Sequence, residues 1–254
     1  MLASLTFRTR RILDYFGIGK KSADLPLPFW YSEMARRHRA IFRHVRPYTM
    51  TSFERVAALC QSVAHVETQR IAGAVVECGV WKGGSMMAAA LALLQLESTT
   101  RSLYLFDTFH GMTPPRPVDR DLDGRLAEDW MREQSPAADR IRARCSLDEV
   151  RRTMFRTGYP WKRIIFVPGR VEEMLPAEAP GRIALLRLDT DWYESTYREL
   201  EHLWPRLVPG GVLIVDDYGH WQGARRAVDE YFARNKLKAQ LHPIDYTGRL
   251  AIKN

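Results

Sequence analysis

Two short acidic runs carry the chemistry that stands out first. Leu188-Asp189-Thr190-Asp191 closes the apolar stretch Ile183 to Leu188, and Val215-Asp216-Asp217 closes Val212 to Val215. Each apolar run is short and continuous, the pattern of a strand buried on both faces. Neighbouring strands of this kind bring four carboxylates to one edge of a sheet, where they repel unless something neutralises them. A hard divalent cation held by carboxylates and waters answers that repulsion, and Mg²⁺ needs no His or Cys ligand. On this reading Asp189, Asp216 and Asp217 are the metal ligands. Asp191, two residues past Asp189, is placed to take a proton from a hydroxyl whose pKa the cation has lowered. The plainer alternative is that Asp216 or Asp217 caps a helix and Asp191 starts the helix containing Tyr197 and Leu200. His110 and His220 are rival bases, each in a loop after a ligand-edge carboxylate.

A second constellation precedes these. Glu77-Cys78-Gly79-Val80-Trp81-Lys82-Gly83-Gly84-Ser85 puts an acid at the end of the run Ala74-Val75-Val76 and glycines where backbone must approach a ligand closely. About twenty residues on, Asp107 ends the run Ser102 to Phe106, where a carboxylate can accept both hydroxyls of a ribose. A nucleoside-bearing cofactor is expected. The spacing Gly79, Gly83, Gly84 is not the tight G-x-G-x-x-G turn that presents amides to a pyrophosphate. S-adenosylmethionine has no phosphate, and its ammonium needs acceptors such as Glu77 or nearby carbonyls, so it fits this loop better than NAD. For the loop alone, a tight turn packing helix on strand is the competing explanation.

These residues need a scaffold that gathers strand ends. Strands are expected at Ala74 to Gly79, Ser102 to Phe106, Arg163 to Val167, Ile183 to Leu188 and Val212 to Val215. Helical spacing runs from Ser52 to about Ile71, and a small-residue helix from about Ser85 to Leu96. This alternation predicts an α/β fold with a doubly wound, mostly parallel sheet that binds ligands outside the carboxyl ends of its strands. Pro26-Leu27-Pro28 divides a basic appendage, residues 1–30, from a helical segment, 31–72, that leads into a core at 73–254. Within the core, the polar, Asp-rich segment 111–159 is an insertion that reads as a lid or substrate-binding loop.

The composition narrows the field without deciding it. The chain has 254 residues, 46% hydrophobic and 27% charged, which is the ordinary globular range and suits one domain. No apolar run reaches the roughly 18 residues of a spanning helix, and Arg8, Arg10 and Arg11 follow too short an apolar stretch for a secretory signal, so a cytoplasmic location is expected. Cys60, Cys78 and Cys145 lack metal-ligand spacing and read as reduced, structural thiols. A net charge of +8 invites an anionic partner. Residues 1–22 could form an amphipathic helix on a membrane surface, although packing on the chain's own domain is the commoner use of such a helix. The helical N-terminal third could equally serve a second copy of the chain.

With these residues in view, the chain resembles the macrocin O-methyltransferase family of sugar O-methyltransferases. The resemblance rests on Tyr48-Thr49-Met50-Thr51, Val76 to Ser85, Phe106-Asp107-Thr108-Phe109, Leu188 to Asp191 and Val215-Asp216-Asp217-Tyr218, in that order. Weaker similarity through Ser146 to Val150, Gly169 and Ile244-Asp245-Tyr246 extends it over roughly residues 45 to 254, with an antiparallel edge strand at the end. The resemblance implies a class I methyltransferase fold and S-adenosylmethionine held by the Glu77 loop, with Gly79, Gly83 and Ser85, and by Asp107. It implies further cofactor contacts at Tyr48, Met50, Thr108, Ser146, Gly169 and Asp189. It also implies Mg²⁺ on Asp189, Asp216 and Asp217, with Asp191 as base. His110 departs from the family pattern, where an acid is expected, and the first thirty residues have no counterpart.

A sugar or glycosylated small molecule offering two neighbouring hydroxyls is the expected acceptor, since a cation can grip both. A catechol offers the same diol, and aromatic rings stacked beside the site, with Trp192 and Trp221 as candidates, would favour it. A nucleic-acid or membrane-surface protein on this scaffold is the rival from another class, but four acids at the ligand edge oppose a phosphate backbone lying there. A metal-dependent hydrolase would leave Glu77, the glycines and Asp107 without a purpose.

Overall fold

In the computed structural model residues 34–254 are described. The expected basic appendage at 1–30 and the amphipathic segment at 1–22 lie outside them. Five parallel strands form the centre of the sheet: β1 (Ala74–Cys78), β2 (Leu103–Asp107), β3 (Ile164–Pro168), β4 (Ile183–Leu188) and β5 (Leu207–Val215). Two short strands follow, β6 (His242–Pro243) and β7 (Arg249–Ile252), and the order across the sheet is β3-β2-β1-β4-β5-β7-β6. β7 runs antiparallel to β5, as expected of the last strand, but β6 lies outside it and forms the edge. Ile244 to Tyr246 fall in the turn between these two strands.

Because successive strand residues point to opposite faces, the sheet sorts its apolar side chains into two cores. Val75, Leu103, Leu105, Leu185, Val212 and Ile214 pack beneath α1 (Met34–Val45), α2 (Phe53–Thr68) and α3 (Gly84–Gln95). Val76, Cys78, Phe106, Leu186, Leu188, Leu213 and Val215 face the other way. The run Ser85-Met86-Met87-Ala88-Ala89-Ala90 has no β-branched residue to oppose a helix and no long polar side chain to exclude it from the interior. It therefore forms α3, buried between sheet and α2.

Three short helices occupy the segment 111–159: α4 (Ala127–Arg132), α5 (Pro136–Arg142) and α6 (Leu147–Phe155). Its aspartates act as braces. Asp119 accepts from the amides of Arg116 (2.7 Å) and Tyr193 (2.8 Å), and Asp121 accepts from the Trp130 indole (2.9 Å). On the second face lie α7 (Val171–Met174), α8 (Tyr193–Leu203) and α9 (Gln222–Arg234). Among the described residues no helix is long and apolar enough to cross a membrane.

Candidate active site

The strand register builds the site. Cys78 lies beside Phe106 and Leu188, and Leu188 beside Val215. The next residue on each strand therefore falls in one row at the carboxyl edge: Asp107, Gly79, Asp189 and Asp216. Backbone bonds continue the ladder through that row, from Gly79 N to Phe106 O, Asp189 N to Cys78 O and Asp216 N to Leu188 O, each 2.9 Å.

Four carboxylates meet there. One oxygen each from Asp189, Asp191 and Asp217 lies within 4.8 Å of the others. Asp217 is also in side-chain hydrogen-bond contact with Asp191, and Asp216 with Asp189. Burial, then the neighbouring acids, raises the pKa of Asp217; Asp189 is raised mainly by burial despite Arg187 beside it. The donors are all hard oxygens, the set that suits a divalent cation of the Mg²⁺ type. Asp191 adopts φ = +64°, a left-handed backbone that a non-glycine residue takes only where its surroundings hold it.

Asp216 has a different setting from its neighbours. Burial alone would raise its pKa, but Arg187 and Arg55 outweigh it and hold the carboxyl below the usual range. Arg187 donates to Asp216 (2.6 Å), Asp189 (2.6 Å), Glu77 (2.5 Å) and the Thr51 hydroxyl (3.0 Å). Arg55 pairs with the second oxygen of Asp216 and with Asp245 (3.0 Å). Asp245 accepts in turn from the hydroxyl of Ser52 (2.8 Å), which caps α2. The expected ligand set is thus gathered with one difference: Asp189 and Asp217 belong to the converging trio, Asp191 completes it, and Asp216 faces two guanidiniums.

Beside the acids lies a cleft of about 690 Å³, open solvent included, lined by Tyr48, Met50, Gly79, Ser85, Asp107, Asp189, Asp191 and Asp216. A second of about 440 Å³ adjoins it, with Thr108 and Gly169 in its wall. Asp107 and Gly79 line both. The Asp107 carboxylate is fixed by the amides of Val80 (2.6 Å), Trp81 (3.0 Å) and Phe109 (2.7 Å), a rigid acceptor on the dividing wall that suits a ribose diol. Gly79 is required at its position: φ is +81°, and a Cβ would sit 1.9 Å from the Asp189 carbonyl oxygen.

The model of the family described as Macrocin-O-methyltransferase (TylF) matches residues 25–251, so it begins well ahead of residue 45 and takes in residues 25–30 of the segment expected to have no counterpart. The chain belongs to the macrocin O-methyltransferase family. It is an O-methyltransferase with the class I methyltransferase fold. It is 35% identical over 205 residues to the 8-demethyl-8-(2,3-dimethoxy-alpha-L-rhamnosyl)-tetracenomycin-C 4'-O-methyltransferase of Streptomyces olivaceus, covering 79% of this chain and 74% of that one. It is 32% identical to the mycinamicin III 3''-O-methyltransferase of Micromonospora griseorubida, covering 79% and 76%. Among solved structures, the O-methyltransferase NovP superposes with a TM-score of 0.70 at 30% identity, covering 82% of each chain.

Several expected contacts of this macrocin O-methyltransferase family member lie elsewhere. Glu77 is 1% exposed and is not on the cleft wall, because Arg187 draws it inward; its second oxygen has no hydrogen-bond partner, and burial pushes its pKa up to about 8. Ser146 caps α6 in a reciprocal bond with Glu149 and lines neither cleft. Gly83 caps α3 with φ = +87° and is also off the wall. His110 is exposed and His220 is buried against Trp221, with burial lowering its pKa to about 4; neither borders either cleft. Trp192 and Trp221 pack edge to face, centroids 5.0 Å apart, and give the cleft no aromatic platform. Arg187 and Arg55 were absent from the sequence expectations. The signal for Arg187 was a single cation inside Leu185-Leu186-Arg187-Leu188, a run otherwise fit for complete burial, where a charge requires partners.

Proposed function

We propose that the chain transfers the methyl group of S-adenosylmethionine to a hydroxyl on a sugar or glycosylated small molecule, assisted by a hard divalent cation. The observation that carries this reading is the meeting of Asp189, Asp191 and Asp216 with the Gly79–Asp107 region in one cleft, with the buried Asp217 converging on Asp189 and Asp191 although it does not line the cleft itself. The methionine end of the donor would lie along Tyr48, Met50, Gly79 and Ser85, and its ribose on Asp107, with Thr108 and Gly169 beyond. Asp189 and Asp217 would hold the cation, joined by Asp216, which contacts Asp189 and lines the cleft.

When bound, the cation lowers the pKa of a coordinated hydroxyl and can hold its vicinal neighbour. The protein aligns the acceptor oxygen with the sulfonium methyl, and Asp191, half-buried on the cleft wall, accepts the proton. The sulfonium is already activated, so alignment and proton removal are what remain for the chain to supply. Sugar rather than catechol is favoured because neither Trp192 nor Trp221 reaches the cleft, and because the Streptomyces olivaceus relative acts, by its name, on a rhamnosyl-bearing compound.

The test is transfer of labelled methyl from S-adenosylmethionine to a panel of vicinal-diol sugars, with Mg²⁺ or with EDTA. Product with Mg²⁺ and none with EDTA supports the reading. Equal product in both removes the cation, and no donor binding by calorimetry removes the reading altogether.

A further inference from the structure

We infer that Asp245, in the turn between β6 and β7, is a positioning residue for the cation: it fixes the Arg55 guanidinium against Asp216 and so sets how well that carboxylate serves as a ligand. The inference rests on the proposed function, in which Asp216 joins Asp189 and Asp217, and gives the C-terminal turn a part in it. Ile244-Asp245-Tyr246 belongs to the resemblance drawn from the sequence, yet neither Asp245 nor Tyr246 lines either cleft. Asp245 reaches the acids through Arg55.

The Asp245 carboxylate divides its oxygens between the turn and α2. Oδ1 accepts from the amides of Thr247 (3.0 Å) and Gly248 (2.7 Å), which closes the turn. Oδ2 accepts from the Ser52 hydroxyl (2.8 Å) and pairs with Nε of Arg55 (3.0 Å). The guanidinium held in this way presents Nη1 to Asp216. The stem of Arg55 is fixed as well, because it crosses Gly248 so closely that an added Cβ would sit 2.9 Å from its Cδ and 3.0 Å from its Cγ. The same turn grips the loop that carries Asp216 and Asp217. The Thr247 hydroxyl donates to the Asp216 carbonyl (2.8 Å), and the Gly219 amide donates to the Thr247 carbonyl (2.9 Å).

A ligand carboxylate held from behind presents its remaining lone pairs in a fixed direction, and outer partners of this kind are worth about 10–100-fold in metal affinity. Charge acts in the same sense. Arg55 shares its charge between Asp245 and Asp216, and the side chains of Arg55 and Asp216 are each 3% exposed, so solvent screens the pair little. Without the Asp245 charge, Arg55 neutralises Asp216 alone, and the site loses attraction for a cation as well as alignment.

The test is calorimetric titration of Mg²⁺ into S-adenosylhomocysteine-loaded protein, with S-adenosylhomocysteine affinity and urea unfolding measured beside it. Asp245→Asn keeps an oxygen for the turn amides and removes the charge. Gly248→Ala keeps Asp245 and displaces the Arg55 stem. The expected result is Mg²⁺ binding weakened at least about tenfold in Asp245→Asn and measurably in Gly248→Ala, with S-adenosylhomocysteine affinity within about twofold of wild type. In an Arg55→Met background, Asp245→Asn should have no further effect on Mg²⁺. Unchanged Mg²⁺ affinity in either single variant, even with stability lowered in urea, makes the turn merely structural and overturns the inference. A loss that persists undiminished in the Arg55→Met background, or an equal loss of S-adenosylhomocysteine affinity, overturns it too. Absence of Mg²⁺ binding in the wild type would instead strike the proposed function, so the two failures are distinct.

Discussion

Arg187 shows how one side chain can set the charge of a site. It is 2% exposed and bonded to Glu77, Asp189 and Asp216, so its removal strands the buried Glu77, leaves the buried Asp216 with Arg55 alone and unpairs Asp189 on the cleft wall. Breaking a buried pair from one side costs about 3–5 kcal/mol. Arg187→Met should lose that much in urea unfolding at pH 7, and a loss below about 1 kcal/mol would show the acids to be balanced by other means. Glu199 gives a pH signature of opposite origin. It is fully buried, accepts from the Thr190 hydroxyl (3.2 Å), and burial raises its pKa from 4.5 to about 8. The folded state keeps this proton over a range where the unfolded chain has released it, so stability falls as pH rises from about 4.5 to 8. Glu199→Gln should flatten that fall; an unchanged pH profile would mean that other groups produce it. Asp191→Asn should lower methyl transfer about 10²–10⁴-fold while leaving Mg²⁺ affinity intact. Lost Mg²⁺ affinity would make Asp191 the third ligand instead of the base.

At the scale of elements, the β1–α3 turn bears the closest tolerance. Gly79→Ala sets a methyl 1.9 Å from the Asp189 carbonyl in a left-handed backbone, which should cost at least about 1 kcal/mol and weaken S-adenosylhomocysteine binding. Gly124→Ala is the control, with φ = +89° but nothing within 4 Å of the added Cβ, so cofactor binding should be untouched; equal losses in both would deny the turn its role. Strands β1 to β4 were legible to within a residue because continuous apolar runs have few other uses. β5 begins at Leu207, not Val212. Pro209-Gly210-Gly211 reads locally as a break, but Leu207 pairs with Ile183 and the Gly210 amide reaches the Lys253 carbonyl at 2.7 Å. Tertiary pairing overrode the local signal there. In 111–159 the polarity was legible, but its use was not. Asp119 and Asp121 became braces because distant amides and an indole arrive beside them.

Across the whole molecule, the acidic row was legible because strand ends in a parallel sheet share one edge whatever the helices do. The cations were not. Arg55 and Arg187 meet Asp216 across 161 and 29 residues of sequence, and only the docking of α2 against the sheet edge, for Arg55, and the pairing of β4 with β5, for Arg187, decide that they do. For Glu77 likewise the acid is visible in the sequence and its buried partner Arg187 is not. The proposed chemistry requires the carboxylates to be a cation site rather than a cluster that only shares protons. The most direct measurement is calorimetric titration of Mg²⁺ into S-adenosylhomocysteine-loaded protein, wild type beside Asp217→Asn. One Mg²⁺ per chain, lost in Asp217→Asn while S-adenosylhomocysteine remains bound, is the predicted result. Absence of Mg²⁺ binding in the wild type, or binding unchanged by Asp217→Asn, would contradict it.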